Sequence, residues 1–290
     1  MKIGYPCLNW SIGCNAGSTF RLKSFTDDKF LQTVEGNLLC LKRILEYNKE
    51  HDFTFFRISS ETVPFGSHEV NKVNWQKHFA PLLKEIGDFV KDNNMRISMH
   101  PDQFVLINSP REDVFVKSMG DLSWHANLLD LMELDETAKI QIHVGGVYGD
   151  KQKAMDVFVE RFALLPEKIK RRLAVENDDT SYSLKDCMYI HKKCGIPIIF
   201  DTFHHECNNN GEPMEDAIKT AQSTWKKKDG KLMIDYSSQQ SGERKGKHTD
   251  SIDISHFKKI LPLFKKYECD VMLEIRDKET SALLARKCMG

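Results

Sequence analysis

The chain has 290 residues, 40% of them hydrophobic and 29% charged, with 42 basic and 42 acidic side chains. That is the make-up of a globular protein with ample core, and a formal net charge of zero speaks against a protein that grips nucleic acid by bulk charge alone. No apolar run approaches the roughly 20 residues needed to span a bilayer, and the first ten residues lack the apolar segment of a secretion signal. The expectation is therefore a cytoplasmic protein that does not engage a membrane, with Cys7, Cys14, Cys40, Cys187, Cys194, Cys207, Cys269 and Cys288 reduced. None of them forms a CxxC pair, which excludes a zinc ribbon and a thioredoxin motif.

In chain order, residues 2–5 read as a short strand closed by Pro6. Residues 26–51 read as a helix, with Thr26 as its N-cap, Asp27 and Asp28 in the first turn, and Phe30, Val34, Leu38, Leu41 and Leu45 at helical spacing. A strand at 53–58 ends in Arg57-Ile58-Ser59-Ser60, before a polar loop that holds His68. There follow a helix at 74–93, a strand at 95–99 ending at His100, a helix at 111–134, and a strand at 139–142 ending at His143. Next come a helix at 151–170, a strand at 173–175 ending at Glu176, and a helix at 183–194 with Gly195 as C-cap. The sixth strand is the clearest: the apolar run Ile198-Ile199-Phe200 stops at Asp201, followed by His204 and His205. A helix at 213–227, a strand at 231–236 containing Asp235, and a basic loop at 237–250 holding His248 come next. A helix at 255–267, a strand at 271–273 ending at Glu274 and a helix from 278 complete the chain.

Eight strands alternating with helices imply a parallel sheet. Eight such units in under 300 residues fit a closed (β/α)8 TIM barrel, a single domain, better than an open doubly wound sheet. The open sheet would carry a glycine-rich nucleotide turn after its first strand, and GYPCLN is not one, so no nucleotide cofactor is expected. The glycine-rich stretch 145–149 reads as a βα turn.

In such a barrel all strand C-termini open on one face, where active sites are built. Tyr5, Asn9, His68, His100, His143, Glu176, Asp201, His204, Asp235, His248 and Glu274 all fall at or just after strand ends. Five histidines and four carboxylates gathered there would leave like charges in one crevice unless cations joined them. Nine donors exceed the needs of one ion, so two or three divalent ions are expected. Mixed imidazole and carboxylate ligands without thiolate suit manganese, iron, cobalt or zinc. Clustered ions of this kind hydrolyse phosphate esters. Walker, GxSxG and HExxH motifs are missing.

The motifs GYPCLN, RISS, SMHPDQ, IHVGG, VENDD, DTFHH and EIRDKE stand in this order along nearly the whole chain. Together they resemble those of the UV damage endonuclease family, itself related to the xylose-isomerase-like barrels and to endonuclease IV. The resemblance implies a TIM barrel with up to three metal ions, often manganese, which is the expected metal. It also implies incision of damaged double-stranded DNA immediately 5′ to a UV photoproduct, leaving a 3′-hydroxyl and a 5′-phosphate. Residue by residue, it implies metal ligation by the same nine donors, with Glu176, His143, His204 and His248 at the reacting phosphate. Tyr5 and Asn9 would line a lesion pocket, and Gln103 and Phe104 would wedge into the duplex. The chain departs from the family on the seventh strand. Met233 and Asp235 stand there where relatives can carry a modified lysine and a histidine. Phe104 stands where a tyrosine is often found.

Cations for the phosphate track are expected from Lys226, Lys227, Lys228, Lys231, Arg244, Lys245 and Lys247, around the seventh strand and its loop. Three other readings stay open: an apurinic-site endonuclease of the endonuclease IV type, a sugar isomerase on the same barrel, and a non-catalytic binding barrel. Phe104 as core beneath its loop is the alternative to the wedge.

Overall fold

In the computed structural model, which describes residues 1–290, eight parallel strands pair in chain order and the eighth returns to the first. The strands are β1 (Ile3–Pro6), β2 (Phe55–Ile58), β3 (Arg96–Met99), β4 (Lys139–His143), β5 (Leu173–Glu176), β6 (Ile198–Asp201), β7 (Met233–Tyr236) and β8 (Asp270–Leu273). Around them lie α1 (Asp27–Glu50), α2 (Trp75–Asp92), α3 (Glu112–Leu131), α4 (Lys151–Leu164), α5 (Glu167–Lys170), α6 (Leu184–Cys194), α7 (Thr202–Cys207), α8 (Met214–Gln222), α9 (Ile254–Lys266) and α10 (Glu279–Met289). This is the closed TIM barrel that the alternation implies.

Local chemistry explains most boundaries. The Thr26 side chain accepts from Lys29 N at the start of α1, Ser183 and Asp186 form a capping box on α6, and Gly195 ends α6 at φ 75°. One expectation needs correction. The helix expected at 151–170 is two helices, because Pro166 cannot continue α4 and Leu165 turns extended before it. The stretch after β6, for which the sequence predicts no element, forms the short helix α7, capped by Asp201. The cysteines depart from expectation as well. Cys14, in the loop after β1, is joined to Cys40 of α1, their Cα atoms 5.8 Å apart. That loop folds back over α1 and brings the two thiols within bonding reach, which spacing along the chain did not reveal.

The helices pack outside the strands through one continuous apolar cluster. Inside the barrel, alternate residues of each strand stack in layers. At the strand starts, Arg96 donates to Asp270 at 2.8 Å, and Lys139 pairs with Asp229 and donates to Arg171 O at 3.0 Å. Above these lies a plug of Phe55, Ala174, Ile199, Met233 and Met272. Met233 belongs to that plug. Above it again come Arg57, Gln141, Glu176, Asp201 and Asp235, all buried. The barrel closes tightly at Gly4, where any Cβ would lie 1.6 Å from Phe55 O.

The lower charged layer serves stability. Lys139 is fully buried and burial pulls its pKa down, with Asp229 opposing that pull. Asp229→Ala strands this ammonium, so a loss of about 3–5 kcal/mol is expected in denaturant unfolding. Ion binding at the other end of the barrel should be unchanged.

Candidate metal centre at the C-terminal mouth

Five strands, β3, β4, β5, β6 and β8, deliver a donor at the point where their apolar run ends, and Asp235 lies within β7. His143, Glu176 and Asp201 are the last residues of β4, β5 and β6, and His100 and Glu274 directly follow β3 and β8. Asp201 does two things at once. Its Oδ1 accepts from His204 N at 2.7 Å and so caps α7. The turn this creates brings the His204 ring back to Glu176, with Nδ1 3.0 Å from Oε1.

Three groups of donors result, each with ligand atoms within 4.8 Å of one another: His100, His143 and Glu176; Glu176, Asp201 and His204; Asp201, Asp235 and Glu274. Glu176 is common to the first two. His248 stands beside the second group without belonging to it, its Nε2 3.4 Å from His204 Nε2.

The histidine geometry tests whether a cation fits. His204 Nδ1 lies 3.0 Å from Asn177 O, His248 Nδ1 3.1 Å from Glu274 O, and His100 Nδ1 2.9 Å from Pro101 O. A ring nitrogen that donates to a carbonyl carries the proton, so in the neutral ring the other nitrogen is a bare acceptor. The Nε2 atoms of His204 and His248 thus face each other and need a proton or a metal ion between them. Two imidazole nitrogens sharing one ion at ~2.1 Å each stand about this far apart. Asp201 Oδ2 is buried without a hydrogen-bond partner, as is His143 Nδ1. Burial pushes the Asp201 carboxyl up to about 7, only partly opposed by His204. Burial would raise Glu176 too, but His143, His100 and His204 hold it well below the usual range. For His204, burial lowers the pKa while Asp201 and Glu176 carry it up to about 12. These groups fit a divalent ion of the manganese, iron, cobalt or zinc class.

Other expected residues are placed differently. His68 is exposed on the loop after β2, its Nδ1 accepting from Val70 N, and it belongs to none of the three groups. His205 faces away from the mouth, with Nε2 3.3 Å from Glu212 O. Tyr5 and Asn9 are buried: Asn9 donates to the Tyr5 hydroxyl at 2.7 Å, and that hydroxyl donates to Asn48 at 2.6 Å. They brace the wall behind the first loop. Gln103 and Phe104 are exposed, and Phe104 at 74% exposure is not core.

The basic residues divide between the two ends of the barrel. Lys231 precedes β7 and neighbours Lys2, Asn94 and Asp270, so it lies at the N-terminal end, away from the donors. Lys226 and Lys228 lie at that same end, beside Gly195 and Pro197. The expectation that they flank the mouth is corrected: they lead into β7 (Met233–Tyr236), and residues on the entry side of a barrel strand stand at the end opposite its C-terminal mouth, however near they are in sequence to Asp235. Arg244, Lys245 and Lys247 are on the loop after β7. Lys245 donates to Cys207 O at 2.7 Å and Lys247 pairs with Glu243 at 3.1 Å.

Two residues of the mouth went unnoticed in the sequence. The Arg57 guanidinium lies 2.7 and 2.8 Å from the two Asp235 oxygens and donates to Gln141 at 2.8 Å and to Glu274. Gln141 in turn donates to Glu176 and Asp235.

Comparison with known proteins agrees with this architecture. A family model described as UV-endonuclease UvdE matches residues 1–288. The UV DNA damage endonuclease of Clostridium perfringens is 40% identical, over 100% of this chain and 70% of its own length. The crystal structure of SacUVDE superposes with a TM-score of 0.95 at 45% identity, covering 100% of this chain and 98% of that one. Endonuclease IV from Thermus thermophilus shares the fold, with a TM-score of 0.58 at 11% identity over 86% of this chain and 94% of its own.

Ligand that binds only the folded chain stabilises it. Manganese at 100 times its dissociation constant should add about 2.7 kcal/mol, read as a rise of several degrees in melting temperature that a chelator reverses. His204→Ala combined with His248→Ala should remove most of that rise. A wild-type melt indifferent to both manganese and chelator would mean that these donors hold no ion.

Proposed function

The chain belongs to the UV-endonuclease UvdE family, and its activity is that of a UV DNA damage endonuclease, a hydrolase; we propose that it cuts the phosphodiester bond immediately 5′ to pyrimidine dimers, 6-4 photoproducts and abasic sites, leaving a 3′-hydroxyl and a 5′-phosphate. The observation that carries this reading is the pair of donor groups sharing Glu176 at the barrel mouth. His100, His143, Glu176, Asp201, His204, His248 and Glu274 would hold manganese there. Bound divalent ions supply a Lewis acid for the phosphoryl oxygens and lower the pKa of an attacking water.

The chain's own residues do the positioning. Glu176 sets the spacing of the two groups. His143 and His248 have side chains 32% and 30% exposed, against 21% for His100 and 11% for His204. They are therefore the imidazoles open enough to meet a phosphate. Asn177, Pro101 and Glu274 fix three of the rings through their carbonyls, so the nitrogens facing the mouth cost little to align.

Phe104 supports the choice of a damaged duplex. Its ring is exposed on the loop after β3, where its N–H donates to Asp102 at 3.3 Å. A damaged pyrimidine stacks poorly and is extruded at lower cost than an intact base, and an apolar ring can fill the gap it leaves. Gln103 beside it would contact the exposed base edges. Arg244, Lys245 and Lys247 would meet the phosphates on the other side of the mouth.

UV-irradiated supercoiled plasmid should be nicked in the presence of manganese, with intact plasmid spared and chelator abolishing the reaction. Phe104→Ala should lose about 1–3 kcal/mol of stacking, a roughly five- to 150-fold fall in kcat/KM on irradiated DNA. The manganese-dependent melting shift should be retained in that variant. Cutting confined to abasic sites, or cutting of intact and irradiated plasmid alike, would overturn the proposal.

A further inference from the structure

Among the donors of the mouth stands a fixed positive charge. Arg57, midway along β2, is buried, and its partner Asp235 is 1% exposed. One guanidinium nitrogen, Nη2, reaches both Asp235 oxygens and the Gln141 carbonyl oxygen, while Nη1 donates to Glu274. Gln141 closes the ring by donating to Asp235 Oδ2 and Glu176 Oε2. Both Asp235 oxygens are thus engaged by nitrogen donors. Of the three donor groups, the one made of Asp201, Asp235 and Glu274 has two members in Arg57's grip.

We infer that the Arg57 guanidinium takes the place of one metal ion, so that this centre holds two ions, with Asp235 serving the arginine instead of a metal. The inference rests on reading the mouth as a metal centre. The remaining two groups, joined by Glu176, need nothing from Asp235.

Charge points the same way. Glu176, Asp201, Asp235 and Glu274 bring four negative charges, and Arg57 offsets one. Two divalent ions leave the pocket one positive charge in excess. A third ion would raise that excess to three and crowd its own double charge against a buried guanidinium. The arginine also has nowhere to withdraw. The apolar plug around Phe55 and Met233 fills the barrel below it, and a planar fork held by three partners is already in its bound geometry. Glu274 keeps a role at both places: one oxygen accepts from Arg57, and the other lies 3.8 Å from His248 Nδ1.

Counting ions tests this without any assay of cutting. The full-length chain, dialysed against excess manganese and analysed for metal, should hold two ions. Asp235→Asn should still hold two, because its amide oxygen can accept from Arg57, whereas Asp201→Asn should fall to one. Arg57→Met, with the guanidinium gone and the carboxylates left, should rise to three. Three ions in the wild type, loss of one ion in Asp235→Asn, or an unchanged count in a folded Arg57→Met would overturn the inference. Should Arg57→Met fail to fold, the wild-type and Asp235→Asn counts decide. Three ions with nicking intact would overturn this inference and leave the endonuclease reading standing. No bound ion at all would overturn both.

Discussion

Four carboxylates gathered at one end of a closed barrel, three of them fully buried, are the constraint to which the rest of this molecule answers. Glu176, Asp201 and Asp235 are each about 1% exposed or less, and donor oxygens of Asp201, Asp235 and Glu274 lie within 4.8 Å of one another. Two unpaired like charges at such a separation repel by about 3–4 kcal/mol at an effective dielectric constant of 20. That is a sizeable share of the roughly 5–15 kcal/mol by which a folded protein exceeds its unfolded state. Arg57 and the imidazoles of His100, His143 and His204 each reduce this repulsion.

The same barrel carries a second charged layer, and the contrast between the two explains which end is functional. At the strand starts, Arg96 meets Asp270 and Lys139 meets Asp229, one cation to one anion, with backbone carbonyls taking the remaining donors. That layer is complete within the protein. At the strand ends, anions outnumber fixed cations, His204 and His248 turn bare nitrogens toward each other, and Asp201 keeps an unpartnered oxygen. A layer of the second kind is stable only with something added to it. The apolar plug of Phe55, Ala174, Ile199, Met233 and Met272 separates the layers, so compensation at one end cannot be borrowed from the other.

Much of this was legible in the sequence because a parallel barrel converts a linear pattern into a place. Wherever an apolar run stops at a polar residue, as Ile199-Phe200-Asp201 does, that residue stands on the C-terminal face, and His100, His143, Glu176, Asp201 and Glu274 follow from that rule. Arg57 and Gln141 escaped because they do not end their strands. They interrupt them, between Phe56 and Ile58 and between Ile140 and Ile142. A polar residue inside a strand buried on both faces points to the barrel axis, and that signal was available. Lys231 was misplaced for another reason. It stands close in sequence to Asp235 but on the entry side of β7, and the entry and exit sides of a barrel strand are opposite ends of the barrel. The helix α7 was hidden because Asp201, read only as a ligand, is also its N-cap.

What faces the substrate is of a different character from what faces the ions. The donors are rigid, held by strand ends and backbone carbonyls, whereas Phe104, Gln103 and Arg244 are exposed on loops that nothing packs over. Tyr5 and Asn9 belong with the rigid part: their chain of hydrogen bonds to Asn48 ties β1 to α1, and the Asn9 side chain accepts from Ser11 N at 2.8 Å to set the first loop. With Lys226, Lys228 and Lys231 at the far end of the barrel, the cations on the mouth side are those of the loops after the strands, such as Arg244, Lys245, Lys247 and Arg276. Phosphate contacts position a duplex but carry no information about damage. On the proposed reading, discrimination therefore falls to the step in which an aromatic ring replaces a poorly stacked base.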